Sequence, residues 1–325
     1  MTNQVNRSNQ VWTVGCILKW TENYFKEKGI ESPRLDAEVL LAHVLKQERI
    51  YLYVHFDEPM EAEELAAYRE CIKKRVMHVP VAHILGEKEF MGLTFKVTAD
   101  TLVPRPDTEI LVQAAVDRLR ELQEQGKEDL RIADIGTGTG AICLSVLHYL
   151  DGATADTVDI SPAARAVAEE NAENLGLKEC VTFHTGDLLQ PLQGLTFTAI
   201  LSNPPYIPEK DIEALAPEVR LKEPHTALSG GKDGLDFYRR LAKDAPAMLT
   251  DGGFMALEVG IHQAEDVAKL AKANPLITET EILPDYAGID RVVVAWRNRP
   301  EKMQAEPAEG TGDNEKAENA GTEED

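Results

Sequence analysis

The sequence lacks any long apolar run. Its 325 residues contain no stretch of about 18 uncharged apolar residues, which a membrane-spanning helix requires. The first ten residues also lack the apolar segment of a signal peptide. We therefore expect a soluble, cytoplasmic protein with no membrane partner.

Cysteine is scarce and scattered. Cys16, Cys71, Cys143 and Cys180 lie far apart, form no C-x-x-C pair and have no histidine at the spacing of a zinc ligand. This pattern disfavours a disulfide framework, so we expect reduced thiols and no metal site.

Basic residues are too few to balance the acidic ones. The chain has 34 Lys and Arg against 56 Asp and Glu, a formal net charge of -22. Such an excess repels phosphate backbones, and no basic region is concentrated enough to offset it, so we expect no direct binding of nucleic acid. Residues 299–325 are acidic, have no aromatic side chain and are predicted to form a disordered tail.

Helical periodicity dominates the first part of the chain. Apolar residues recur at helical spacing from Val14 to Phe25, from Pro33 to Leu45 and from about Met60 to Val76. These segments predict a small helical domain over residues 1–88. Its histidines are scattered and form no catalytic cluster.

A change to strand periodicity predicts a β-hairpin linker over residues 89–106. Residues 90–97 and 101–103 are expected to form its two strands. Asp107 or Thr108 can then cap the helix that follows.

Strands and helices alternate from residue 130 onward, which predicts an α/β fold. We place this second domain over residues 107–298, in agreement with a chain length that suits about two domains. Its strands are expected near 131–135, 157–160, 181–183, 197–201, 252–260 and, running antiparallel, 291–296.

A glycine-rich turn follows the first of these strands. It reads G-x-G-x-G at Gly136, Gly138 and Gly140, with Thr137 inside it and Asp134 two residues before it. Glycines let the backbone approach a ligand closely, and the next helix begins behind them. Because a carboxylate disfavours a pyrophosphate and favours a sulfonium, the pattern predicts S-adenosylmethionine rather than NAD.

Two later acidic residues suit the same cofactor. Asp159 ends the second strand, where a carboxylate can accept both ribose hydroxyls; a helix-capping Asp is the alternative. Asp187 follows the third strand, where its loop would reach the adenine, although Gly-Asp is also a common turn.

A short NPPY turn follows the apolar strand 197–201 and consists of Asn203, Pro204, Pro205 and Tyr206. The Asn203 side-chain carbonyl and the Pro204 backbone carbonyl are acceptors, and Tyr206 adds a flat aromatic face. These groups suit a planar NH2 group, either a carboxamide or the exocyclic amine of a base, because each hydrogen needs an acceptor. An ordinary strand-end turn is the alternative.

An ordered set of motifs extends over roughly residues 14–297. They read RLDAEVLLAHVL (34–45), PRPDTE (104–109), DIGTGTGAI (134–142), VDISPAA (158–164), NPPYIP (203–208), EPHTALSGGKDGLDFYR (223–239) and GIDRVVVA (288–295). This set resembles the PrmC/HemK family of protein-glutamine methyltransferases. The resemblance implies a Rossmann-like, class I S-adenosylmethionine-dependent methyltransferase domain, joined by the hairpin to the helical domain.

The resemblance also implies a reaction and a partner. The methyl group would go to the side-chain amide nitrogen of the glutamine in the GGQ motif of class I peptide chain release factors, in support of translation termination. Asn203, Pro204, Pro205 and Tyr206 would bind this amide, and residues 1–88 would dock the release factor. The cofactor would be bound by Asp134, Gly136, Thr137, Gly138, Gly140, Asp159, Asp187 and Asn203.

Three departures from the family pattern affect affinity more than chemistry. Asp107 stands where the family usually has Glu, in the loop over the cofactor, and His83 replaces a usual Tyr. The acidic tail is not part of the pattern.

Three other classes of function remain open. An amino-methyltransferase acting on adenine or cytosine in nucleic acid can use the same NPPY chemistry, although it would need a basic target-recognition region. A non-catalytic S-adenosylmethionine-binding protein fits poorly with intact acceptors. A ribosomal-protein glutamine methyltransferase is the third, although PRPDTE resembles the release-factor branch more closely.

Overall fold

The computed structural model describes residues 11–301. Most of the predicted tail, residues 302–325, lies outside this range. Within the described range, no helix is both long enough and apolar enough to cross a membrane.

Five helices between residues 11 and 86 pack around an apolar core of their own, in which Phe25 and Tyr68 are fully buried. The three predicted helices are confirmed. Two short helices were not expected, because five or six residues are too few to show a helical period. The helices are α1 (Val14–Glu27), α2 (Pro33–Leu45), α3 (Arg49–Val54), α4 (Ala62–Val76) and α5 (Val81–Leu85).

A tight hairpin follows, but its strands differ from those expected. Strands β1 (Glu87–Phe90) and β2 (Leu93–Lys96) pair antiparallel. Met91 and Gly92 turn the chain between them with φ angles of 50° and 69°. The prediction of a strand at 101–103 is wrong. The chain already turns back at Met91 and Gly92, so the second strand lies within residues 90–97, which were expected to form the first.

The remaining chain forms a seven-stranded sheet within the described residues, which confirms the α/β class. The strand order is β5-β4-β3-β6-β7-β9-β8, with β9 antiparallel to both neighbours as predicted for the last strand; β8 was not predicted. The elements are α6 (Thr108–Glu124), β3 (Arg131–Ile135), α7 (Ala141–Tyr149), β4 (Thr154–Asp159), α8 (Pro162–Asn174), β5 (Val181–Thr185), β6 (Phe197–Ser202), α9 (Pro217–Lys222), α10 (Asp236–Asp244), β7 (Leu249–Glu258), α11 (Ala264–Lys272), β8 (Glu279–Pro284) and β9 (Asp290–Trp296).

Helices cover both faces of the sheet. On one face α6 and α7 bury Leu119 and Leu144 in the same apolar cluster as Trp296. On the other face α10 and α11 bury Tyr238 and Val267. These two cores hold the strand ends in place, so the loops that leave those ends start from rigid positions.

The sheet has a topological switch point between β3 and β6. From β3 the chain proceeds outward to β4 and β5, and then returns to the other side of β3 as β6. Open parallel sheets bind ligands in the crevice at such a point, beyond the carboxyl ends of the strands. Since Ile135 lies opposite Ser202 in the register, Gly136 and Asn203 both begin loops at this crevice.

A buried arginine connects the helical domain to the segment after β6. Arg75 of α4 is 4% exposed, and its Nε lies 2.7 Å from Asp36 of α2. Its Nη2 lies 2.6 Å from Glu218 of α9. One guanidinium therefore neutralises two carboxylates from different parts of the fold.

Replacing this arginine should destabilise the protein. In Arg75→Met the buried Asp36 carboxylate loses its partner, a change that costs about 3 kcal/mol. Urea unfolding should show a lower midpoint at an unchanged slope. Lys74→Met removes the same charge from an exposed position on the same helix and should stay within about 0.5 kcal/mol of the parent. Equal stability of the two variants would contradict this role of Arg75.

Candidate active site

The glycine loop after β3 opens on one side and packs on the other. Gly136, Gly138 and Gly140 have φ angles of 79°, 57° and 81°, which favour glycine. A Cβ atom built on Gly136 or Gly138 would meet no protein atom within 4 Å, whereas one on Gly140 would lie 2.8 Å from Leu144 Cδ1. The first two glycines therefore leave a cradle for a ligand, and the third lets α7 pack closely.

A cavity of about 370 Å³ lies in front of this loop. It brings together most of the residues predicted from strand ends, although these come from four different loops. Side chains that the sequence did not indicate, including Leu102, His225 and Phe237, complete its wall. The predicted residues that line it are Gly136, Gly138, Asp159, Asp187, Asn203, Pro204 and Pro205.

Asp159 at the end of β4 braces the glycine loop. Its Oδ2 accepts a hydrogen bond from the Gly138 amide at 2.8 Å, and its Oδ1 accepts one from the Ser161 amide at 2.8 Å. Each carboxylate oxygen has a second lone pair, so the group can still accept ligand hydroxyls. The ribose and capping interpretations of Asp159 are therefore compatible.

Asp134, Thr137 and Gly140 do not line the cavity but shape the loop from beneath. Asp134 is fully buried, and burial raises its pKa to about 7. Its Oδ2 accepts from the Cys143 amide at 3.3 Å, while its Oδ1 has no hydrogen-bond partner among the described residues. The Thr137 hydroxyl lies 3.2 Å from the carbonyl oxygens of Asp134 and Val158.

Asp187 lies at the cavity wall and forms an ion pair with Arg240 of α10. The carboxylate is therefore held by a second element and is not simply part of a Gly-Asp turn.

Asn203 and Pro204 form a wall shared by two cavities. Besides the larger cavity they line a second one of about 190 Å³, together with Arg105, Tyr206 and Ile207. Tyr206 lines only the smaller one. The two acceptors predicted to receive an NH2 group thus lie between the space in front of the glycine loop and a separate opening.

Tyr206 is held rigidly beside these acceptors. Its carbonyl oxygen accepts from Gln263 Nε2 at 3.0 Å, and Gly260 leaves room for its ring, since a Cβ there would lie 3.0 Å from Tyr206 Cδ2. Burial raises the pKa of Tyr206 to about 12, so the phenol stays protonated at neutral pH.

The PRPDTE segment borders the smaller cavity and is held by two ion pairs. Arg105 Nη2 lies 2.6 Å from Glu223, a carboxylate that is almost fully buried after α9. Asp107 pairs with Arg291 of β9 at 3.0 Å. Asp107 occupies the N-cap position of α6, one of the two residues expected there, but its side chain forms no capping hydrogen bond. Its carboxylate pairs with Arg291 instead.

His83 lies in α5 and is half-buried. Burial lowers its pKa, and its Nε2 has no hydrogen-bond partner among the described residues. His83 lines neither of the two cavities around Asn203.

Besides those wall residues, the sequence did not indicate two residues that lie beside Asn203. Thr108 accepts a hydrogen bond from Asn203 Nδ2 at 3.2 Å, and Glu258 is buried at the end of β7 beside it. Glu258 is an acidic residue at the carboxyl end of an apolar strand, the same signal that identified Asp134 and Asp159. Within residues 11–301 no group of three or more His, Cys, Asp or Glu side chains is arranged to hold a metal ion.

Comparisons with known proteins agree with this architecture. Residues 17–86 match the family model described as the PrmC N-terminal domain, and residues 112–232 match the methyltransferase small domain. Among solved structures, the hMettl16 catalytic domain in complex with MAT2A 3'UTR hairpin 6 superimposes with a TM-score of 0.51. It is 15% identical, covering 70% of this chain and 82% of that one, which supports the fold only.

Curated relatives are similar over almost their whole length. The release factor glutamine methyltransferase of Geobacter sulfurreducens is 43% identical over 87% of this chain and 96% of its own. That of Moorella thermoacetica is 45% identical over 83% of this chain and 93% of its own. The chain therefore belongs to the release factor glutamine methyltransferase family.

Proposed function

We propose that this protein transfers a methyl group from S-adenosylmethionine to the side-chain amide nitrogen of the GGQ glutamine in class I peptide chain release factors. The observation that carries the proposal is the wall shared by the two cavities. Asn203 and Pro204 present acceptors there, with the glycine loop on one side and an opening lined by Tyr206 on the other.

The larger cavity fits the cofactor that the methyltransferase family and fold imply. When bound, S-adenosylmethionine supplies an electrophilic methyl group on a sulfonium centre. Gly136 and Gly138 would lie against its methionine part, because their missing Cβ atoms leave open space. Asp159 would hold the ribose, and Asp187 would lie near the adenine.

Asn203 and Pro204 would make the substrate nitrogen reactive by positioning it. A carboxamide nitrogen is a poor nucleophile because its lone pair is delocalised into the carbonyl. Acceptors on both of its hydrogens fix the direction of that lone pair and favour the positive charge that develops on nitrogen. Tyr206 would pack on the plane of the amide.

No general base is needed in the smaller cavity. Among the described residues that line it, the ionisable side chains are Arg105 and Tyr206. A guanidinium has no lone pair to accept a proton, and the phenol of Tyr206 stays protonated. The proton becomes acidic only as the new bond forms and can then pass to water.

We propose that residues 1–88 dock the release factor, residues 89–106 link the domains and residues 107–298 carry catalysis. A groove of about 400 Å³ in the helical domain supports the docking role. It is lined by the aromatic side chains Trp12, Trp20 and Tyr24 beside Arg69, and aromatic residues and arginine are enriched at protein interfaces.

The substrate prediction can be tested with two forms of one release factor. Tritiated methyl groups should pass to the factor with a GGQ motif and not to the same factor with Glu in place of that Gln, because a carboxylate has no NH2 group for the two acceptors. Duplex DNA and ribosomal protein are offered to the enzyme as alternative substrates in parallel reactions. Equal labelling of both release factors, or labelling only of DNA or ribosomal protein, would refute the proposal.

Asn203→Ala should lower the turnover number by about 100- to 1,000-fold, the usual cost of losing one oriented group at a reacting centre. Calorimetry should still detect S-adenosylmethionine binding, since Gly136, Gly138 and Asp159 are unchanged. Asn174→Ala, at an exposed position on α8, is the matched control and should retain turnover. Full turnover of Asn203→Ala would remove Asn203 from the mechanism.

Asp159→Ala should weaken S-adenosylmethionine binding about 10- to 100-fold, because it removes charge-assisted hydrogen bonds to the ligand and the brace on Gly138. Isothermal titration gives the dissociation constant. The exposed Asp151 provides a control of the same charge, Asp151→Ala, for which no change is expected. An unchanged constant for Asp159→Ala would place the ribose elsewhere.

A further inference from the structure

Glu258 is a buried carboxyl group that the mechanism above does not use. It is the last residue of β7 and is 1% exposed. Because Leu257 lies opposite Ser202 in the parallel register, the residues that follow them in the chain, Glu258 and Asn203, lie side by side. The Glu258 Oε2 atom has no hydrogen-bond partner among the described residues.

Thr108 lies between these two side chains. Its hydroxyl oxygen accepts from Asn203 Nδ2 at 3.2 Å, and the residue is 5% exposed at the start of α6. Burial raises the pKa of the Glu258 carboxyl, and hydrogen bonding from the Thr108 hydroxyl and the Asn203 amide partly offsets that rise, so both groups lie beside it. A hydroxyl that accepts from Asn203 keeps its own hydrogen to donate, and Glu258 is the acceptor beside it.

This arrangement selects one of the two orientations of the Asn203 amide. With the NH2 end towards Thr108 and Glu258, Asn203 finds acceptors behind it and its carbonyl oxygen faces the cavities. In the flipped orientation the Asn203 carbonyl oxygen would face the carboxylate oxygens of Glu258, and two acceptors cannot bond to each other. Its NH2 group would then meet the NH2 group of the substrate, and two donors cannot bond to each other.

We propose that Thr108 and Glu258 are positioning residues that fix Asn203 with its carbonyl oxygen towards the substrate amide. This inference rests on the proposed function of Asn203. Neither residue touches the reacting atoms; both act through Asn203.

The surroundings of Glu258 make the device sensitive to pH. Burial, the largest influence, and the negative charge of Asp107 together raise the pKa of Glu258 to about 7, against the opposing effects of Thr108, Arg291 and Asn203. Tyr206 and Tyr238 are the other titratable neighbours, and both stay protonated at neutral pH. Below about pH 7 Glu258 becomes protonated, and its O–H can donate to the Asn203 carbonyl oxygen. The flipped orientation of the Asn203 amide is then no longer disfavoured.

The experiment compares Thr108→Val, Thr108→Ser and Glu258→Gln with the parent in methyl transfer to a GGQ release factor. Thr108→Val keeps the shape and removes the hydroxyl, so the turnover number should fall about 10-fold or more at an unchanged dissociation constant for S-adenosylmethionine. Thr108→Ser restores the hydroxyl and should recover most of the lost turnover. The double variant Thr108→Val with Glu258→Gln should be no slower than the slower single variant, because both changes break one chain of contacts.

The pH profile supplies the second readout. In the parent, turnover should decline as the pH falls through about 7, and Glu258→Gln should abolish that acidic limb. A limb that persists in Glu258→Gln belongs to another group, such as Asp134, and would contradict the pH role of Glu258. Equal turnover of Thr108→Val and Thr108→Ser would overturn the positioning role, and this pair decides the matter even if Glu258→Gln fails to fold.

Failure of the proposed function gives a different result. If the parent protein methylates no release factor, the proposed reaction is wrong before any variant is compared. If the parent methylates the factor and Thr108→Val does so equally well, only the inference about Thr108 and Glu258 is wrong.

Discussion

The site depends on a simple constraint: a planar amide has two N–H hydrogens, and both need acceptors before its nitrogen can be held in one place. Asn203 supplies one acceptor from a side chain, and Pro204 supplies the other from a carbonyl whose own residue has no N–H. Both stand at the switch point of the sheet, beyond the carboxyl ends of the neighbouring strands β3 and β6. The glycine loop is therefore brought to one side of the acceptors and the smaller cavity to the other.

The parts of this arrangement that are contiguous in the chain could be predicted from it. The glycine loop, Asp159 and the Asn203 turn each follow an apolar strand, and the carboxyl ends of parallel strands meet at one edge of a sheet. The sequence could not distinguish residues that touch a ligand from those that support the loop. Asp134 and Thr137 were expected at the cofactor, and the structure places them beneath the loop, outside the cavity lining.

Contacts between distant segments could not be predicted. Thr108 and Asn203 are 95 residues apart in the chain, and only the packing of α6 against β6 and β7 brings Thr108 to Asn203 and Glu258. The same reason explains why the Asp107 side chain forms no capping hydrogen bond at the N-cap of α6: its carboxylate pairs with Arg291 from the last strand. The hairpin was misplaced for a local reason, since Met91 adopts a positive φ that its residue type does not suggest.

The most direct test of the account is a crystal structure of this protein with S-adenosylhomocysteine and a GGQ-containing peptide. The account predicts that the glutamine amide nitrogen lies within about 3 Å of both Asn203 Oδ1 and the Pro204 carbonyl oxygen. It also predicts that Asn203 Nδ2 points towards Thr108 and Glu258. A glutamine held by other groups, or an Asn203 that presents its NH2 group to the substrate, would contradict it.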